Sequence, residues 1–237
     1  MRLSAQVWSG LIAGFLVVGL PGGVTGLAGV AIAQTVEERQ AETDRLFQQG
    51  IQQYRTSQFS VASKSWEQAL ALYRKIGDRQ GEAISFGNLG LAYDSLSQFQ
   101  RAIAFQEQSL EIAREISDRR GEANSLNNLG LALQNLDRPP EAEQQLLVAA
   151  KIYESIRADL GDNDANKVSI FEQQSTTYRQ LQKAQIVQNK TTAALETAER
   201  GRARAFVELL HRRLNPDDPN ATIHPPNLAQ IQRIAQA

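Results

Sequence analysis

The feature that most restricts how this chain can fold is a repeat. Residues 81–120, GEAISFGNLGLAYDSLSQFQRAIAFQEQSLEIAREISDRR, recur in register on both sides when the frame moves by 40 residues. Gly50, Gly90 and Gly130 align, as do Ala62, Ala102 and Ala142, and Ile76, Ile116 and Ile156, with Asp-Arg pairs at 78 and 118. A fixed period of this length predicts a stack of like units, each burying its apolar face against the next. In the central unit Ala83, Phe86, Leu89, Gly90, Tyr93 and Leu96 recur at spacings of three and four, which places them on one face of a helix. Ala102, Phe105, Ser109, Ile112, Ala113 and Ile116 do the same for a second helix, and Ser97-Gln98 leaves room only for a turn. The two helices must then run antiparallel. Gly90 and Ala102 fall where such helices approach closely, so small size is what those positions need. Asp78 and Asp118 suit helix N-caps, and Gly77 suits a C-terminal cap.

Asn88-Leu89-Gly90 with Tyr93, followed by Phe99 and Ala102, resembles a tetratricopeptide repeat, and the 40-residue period resembles its longer kinesin-light-chain-like variety. The third unit shows Asn128-Leu129-Gly130, Leu133, Ala142, Leu146 and Ala149. The first keeps Gly50, Phe59, Ala62, Trp66, Ala69 and Leu70 but has Gln48-Gln49 in place of Asn-Leu, as an end unit facing solvent would. The resemblance implies an all-α, right-handed superhelical solenoid of three clear hairpins and one irregular one, with protein partners held in a concave groove lined by the first helix of each unit. Groove candidates are Asn88, Leu91 and Asp94 in the second unit and Asn124, Asn127, Asn128, Leu131, Gln134 and Asn135 in the third. Asparagine amides offer donor and acceptor to an extended backbone. The competing reading is that Asn88 and Asn128 bond the neighbouring helix backbone or each other. No Lys or Arg cluster lies among these positions, which disfavours recognition of a partner's terminal carboxylate.

The ends of the chain read differently. Arg2 precedes the apolar run from Leu11 to Leu20, Pro21-Gly22-Gly23 interrupts it, and Ala31-Ile32-Ala33 precedes Gln34. This pattern predicts a signal peptide over 1–33 and an exported, periplasmic or extracellular protein. If residues 3–33 stay attached, they form a membrane anchor instead. The three units then occupy 34–157, with Pro139-Pro140 tolerated at the start of a helix. Residues 158–213 read as a fourth, irregular hairpin with a linker helix, and 214–237 as a proline-rich tail with a short helix. Asp162, Asp164 and Asn166 alternate as at the opening of a calcium loop. Lys167 replaces the turn glycine and Gln173 the closing glutamate, so a polar loop is expected and no metal. No cofactor is expected either.

The string Ala198 to Phe206, AERGRARAF, is similar to the segment joining tetratricopeptide arrays to a CHAT domain in bacterial CHAT-associated proteins. That likeness implies that Arg200, Arg202, Arg204 and Phe206 form a helix face for docking such a domain, a caspase-like fold whose proteolytic members use a His and a Cys. This chain has no cysteine, and His211 and His224 lie on a helix end and in the tail. The expectation is therefore a non-enzymatic scaffold. The alternative is the sensing half of a CHAT peptidase system whose catalytic part is truncated after Ala237 or lies on another chain. Nucleic acid is not expected as a partner: the formal charge is −1, from 25 basic and 26 acidic residues. Glu196 can face Arg200, and Glu208 can face Arg212, four residues apart on one helix.

Overall fold

The computed structural model describes residues 24–159 and 164–201, with side chains at 38–159, 170 and 172–201. Arg202, Arg204, Phe206, the tail from 214 and most of the expected signal segment lie outside the described residues. The chain divides into two units, one reaching Glu38 and one running from Arg39. In the first, residues 24–38 are helical. The second contains the repeats.

Seven helices follow in order: α1 Val24–Arg55, α2 Phe59–Ile76, α3 Arg79–Ser95, α4 Phe99–Glu115, α5 Arg119–Asn135, α6 Pro139–Asp159 and α7 Asp164–Val187. Residues 191–201 form the described part of α8. No strand occurs among the described residues. From α2 to α7 each helix packs on the next, and α5 also touches α3 on one side and α7 on the other. The core is accordingly strung along the array instead of gathered at a centre. One cluster unites Trp66, Phe86, Leu89 and Ile112, another Leu126, Ala149 and Tyr153, and a third Leu133, Leu146 and Leu181.

Every 20 residues the chain turns in the same way. Ser57, Gly77, Ser97, Ser117 and Asp137 all adopt positive φ, between 57° and 74°, and Asn189 ends α7 likewise. The next residue in each case returns its backbone N–H to a carbonyl five residues back, as in Asp78 N to Tyr73 O at 3.0 Å and Gln98 N to Tyr93 O at 2.8 Å. This satisfies carbonyls that the helix end would otherwise orphan. Asp78 then opens α3 by accepting from Gly81 N at 2.9 Å, and Asp118 opens α5 by accepting from Gly121 N at 2.9 Å. One aspartate thus helps end one helix and starts the next, which makes the linkers two or three residues long.

The close approach expected at Gly90 exists and repeats. A Cβ on Gly50 would meet Trp66 Nε1 at 2.4 Å, one on Gly90 would meet Gln106 Nε2 at 2.3 Å, and one on Gly130 would meet Leu146 Cγ at 2.6 Å. The paired alanines 62, 102 and 142 are fully buried. Unit boundaries carry a second periodic device. Buried Glu82 takes Arg74 at 3.5 Å and Arg79 at 3.0 Å, and Glu122 takes Arg114 at 3.0 Å and Arg119 at 2.7 Å. Both partners contribute to holding the carboxylate, because a buried charge left unpaired would be costly.

Three boundaries differ from expectation or extend it. α1 begins at Val24, on the N-terminal side of the expected Ala33–Gln34 junction. α6 starts at Pro139, as the missing amide donor allows, and runs to Asp159. α7 starts at Asp164, so Asp164 and Asn166 belong to a helix, and only 160–163 remain for the expected loop, outside the described residues.

Two substitutions test these devices. Gly130→Ala is expected to cost about 1–3 kcal/mol, since Leu146 is fully buried and cannot retreat. Ser97→Gly removes the left-handed penalty of an L-residue and is expected to stabilise by about 0.5–1 kcal/mol. Denaturant unfolding of the two variants beside the wild type measures both.

Candidate partner-binding face

The odd-numbered helices stand next to one another, so residues 40 apart on them form columns. Asn88 and Leu91 lie on α3, and Asn128 and Leu131 repeat them on α5, all half-buried. Asn88 makes no hydrogen bond within the described protein. The amide of Asn128 has only a 3.5 Å contact from Asn127 Nδ2. Neither asparagine bonds a neighbouring helix among the described residues, and the two do not bond each other.

The other candidates divide. Asp94 and Asn135 meet across the α3–α5 seam, with Asn135 Nδ2 donating to Asp94 Oδ1 at 3.0 Å. Asn124, Asn127 and Gln134 instead fasten neighbouring helices. Asn124 Oδ1 accepts from Tyr153 Oη of α6 at 2.6 Å, Asn127 Oδ1 accepts from Thr177 Oγ1 of α7 at 2.9 Å, and Gln134 Nε2 donates to Gln180 O of α7 at 2.9 Å. Burial pushes the Tyr153 phenol up, so it stays a neutral donor. These three amides fasten α5 to α6 and α7, which leaves Asn88, Leu91, Asn128 and Leu131 without such a bond and Asp94 and Asn135 bonded only to each other.

Sequence reasoning missed a ladder of cross-seam contacts. Tyr54 Oη and Ser95 Oγ are 3.0 Å apart, which is the same register as Asp94–Asn135 one unit later, and Gln134 crosses the next seam in a shifted register, to the backbone carbonyl of Gln180. The signal was present as polar residues at 54, 94 and 134. Sequence reasoning also missed how Tyr93 is held: its hydroxyl donates to Glu67 at 3.0 Å and accepts from Arg101 at 2.8 Å, and its ring stacks on Phe105.

At the other end, α8 is tied down by polar contacts. Thr197 Oγ1 donates to Gln185 Oε1 at 2.9 Å, Gln185 Nε2 donates to Glu143 at 3.3 Å, and Lys190 Nζ reaches Glu143 at 2.5 Å. Beside this network a cleft of about 270 Å³ is lined by Leu147, Tyr178, Leu181, Glu196 and Arg200. Arg200 is exposed, and the ion pair expected from Glu196 to Arg200 does not form among the described residues: both side chains line the cleft instead. Among those residues no cluster of acids and histidines could hold a metal ion, and no helix is long and apolar enough to cross a membrane.

Hairpins of one geometry repeated along a line define an all-helical repeat solenoid. The solved structure of the apo form of RapI shares this fold, with a TM-score of 0.61 at 17% identity, covering 83% of this chain and 67% of its own. The family model described as Tetratricopeptide repeat matches residues 46–115 and 96–155, so this stretch is an array of tetratricopeptide repeats. Tetratricopeptide repeat protein 28 of Mus musculus is 33% identical over 97 residues, 41% of this chain, and its Homo sapiens counterpart is 34% identical over 91 residues, 38% of this chain. The chain spans only 4% of the length of either relative.

Asp94 provides a test of the face. Burial is the larger influence and pushes its pKa above the usual 3.8, while the hydrogen bond from Asn135 works the other way. A carboxyl with a raised folded pKa disfavours the fold when ionised. The penalty is full above the raised value and disappears as pH falls below the unfolded value. Asp94→Asn keeps an acceptor for Asn135 and removes the charge. It is expected to melt above the wild type at about pH 7 and to match it near about pH 3, which thermal melts at the two pH values decide.

Proposed function

We propose that this chain is an exported, non-catalytic scaffold whose tetratricopeptide array holds extended segments of partner proteins against the odd-helix face, the concave groove of a right-handed superhelix. The observation that supports this best is the repeated Asn-Leu pair, Asn88 with Leu91 and Asn128 with Leu131. It offers unengaged amides beside apolar surface at the spacing of one repeat. Amides of this kind bind a peptide backbone with modest sequence preference, and the leucines exclude water from the bonds. Export rests on the N-terminal pattern of an apolar run ending in Ala31-Ile32-Ala33. Recovery of the protein from its native cells with Gln34 at its start, outside the cytoplasm, supports that part, whereas an intact Met1 form retained at the membrane supports an anchor.

A second reading rests on the AERGRARAF string at 198–206, whose first residues lie on a helix that the Glu143 network fastens to the array. In that reading α8 and its continuation dock a CHAT domain supplied by a longer form of the chain or a separate one, and the array senses the signal that controls it. The two readings share the groove and differ in what the C-terminal face contacts.

The groove is tested by the double substitution Asn88→Ala with Asn128→Ala. Loss of two hydrogen bonds, each about 1 kcal/mol, is expected to weaken a crosslink-identified partner by about tenfold or more without lowering the melting temperature. Asn127→Ala should do the reverse, destabilising the array by about 1 kcal/mol through loss of the Thr177 bond. Calorimetric titration and melts on the same samples give both readouts. Unchanged affinity in the double variant would sink the groove.

A further inference from the structure

Asp94 is held differently from the buried glutamates of this array, and unlike the half-buried Asp78 and Asp118 it caps no helix N-terminus. Buried Glu82 and Glu122 each meet two arginines, and buried Glu143 meets Lys190. Asp94, half-buried, has no ion-pair partner among the described residues, and its only side-chain bond is from Asn135 Nδ2 at 3.0 Å. A carboxylate can accept about four hydrogen bonds, so most of its capacity is unused. Nor does the ladder require a charge here. In the unit before, neutral Tyr54 makes the equivalent side-chain contact to Ser95, and in the unit after, neutral Gln134 crosses the seam by donating to the backbone carbonyl of Gln180. The negative charge is thus surplus to the structural task that its position performs.

The surroundings match one kind of complement. The columns beside Asp94, at 84, 88, 91 and 95 on α3 and at 124, 128, 131 and 135 on α5, contain no Lys or Arg. Leu91 lies one helical turn from Asp94 on α3, and Leu131 lies one turn from Asn135 on α5, both half-buried. Apolar surface next to an unpaired carboxylate suits a side chain with an aliphatic stem and a cationic head. We propose that Asp94, positioned by Asn135, is a subsite for a Lys or Arg side chain of the partner segment, so that this scaffold selects basic extended peptides. The inference rests on the groove reading above and adds a charge preference to it.

The test uses the whole chain and a library of random peptides displayed on phage, selected in parallel on the wild type and on Asp94→Asn. The expected result is that wild-type selection enriches peptides with a Lys or Arg at one shared position. Replacing that residue by norleucine, or Asp94 by Asn, should then weaken binding by about tenfold, the two changes together costing little more than either alone. Affinity should also fall as salt is raised. Peptides that bind without a basic residue, or that bind Asp94→Asn within about twofold of wild type, would overturn the subsite and leave the groove standing. If wild type selects no peptide, the groove reading fails and the subsite with it. Melting of Asp94→Asn at or above the wild-type temperature separates lost binding from lost fold.

Discussion

Each hairpin closes because a glycine leaves no Cβ where a large side chain from the partner helix lies against the backbone. Trp66 covers Gly50, Gln106 covers Gly90 and Leu146 covers Gly130, always 16 residues later. The covering residues differ in chemistry, and two of them use the approach to bond a carbonyl: Trp66 Nε1 donates to Phe47 O at 3.3 Å and Gln106 Nε2 donates to Gly87 O at 2.9 Å. What is fixed is the absence of a side chain on one helix and the size of one on the other. Helix separation sets where the next hairpin sits, so the columns of the odd-helix face depend on these three contacts. A solenoid has no distant contacts to correct an error at one junction.

Much of this was legible because the chemistry of a helix end is local. Gly77, Asp78 and Asp118 announce their roles by residue type, and Pro139 announces a first turn. Gly90 and Ala102 were readable as a close approach because period and helix phase together leave few residues that small on the inner face. Where the repeat stops, legibility stops. Asn127 and Gln134 point to Thr177 and Gln180 in α7, and no pattern in the sequence fixes the register of α7 after the interruption that follows Asp159. The Glu196–Arg200 pair failed for a related reason. Four-residue spacing brings two side chains to one face, but it does not say what else that face meets, and here both side chains line a cleft against α6 and α7.

Copying a unit also copies requirements that a later change leaves unmet. Ser125 Oγ donates to Ser109 Oγ at 2.9 Å, which in turn donates to Ala83 O at 2.9 Å. Ser85 occupies the position of Ser125 one unit earlier, but the residue matching Ser109 there is Ala69, and the buried Ser85 hydroxyl has no partner. Gln106 tells the same story in the slot of Trp66 and Leu146: its amide nitrogen is bonded and its buried oxygen is not. Both follow from comparing equivalent positions, which a repeat makes possible within a single chain.

The same comparison separates structural from functional polarity on the odd-helix face. Positions 54, 94 and 134 all reach across to the next odd helix, a phenol and a carboxylate by meeting a side chain 41 residues on and an amide by bonding the backbone carbonyl of Gln180. Since the neutral groups suffice, geometry alone does not explain a carboxylate at 94. Burial makes that charge less favourable than at an open surface, and Asn135 offsets only part of the cost. A position that performs a shared task with an unshared and costly chemistry is where a repeat protein distinguishes one unit from its copies. Asn88 and Asn128 are the complementary case, with identical chemistry kept at both units and no bond to a neighbouring helix among the described residues, Asn128 having only the 3.5 Å contact from Asn127. An extended segment crossing the array would therefore meet the same amide twice, at the spacing of the repeat, and a charge once. In the proposed groove the repeated contact would supply affinity for a backbone, and the single one would set which side chain can lie beside it.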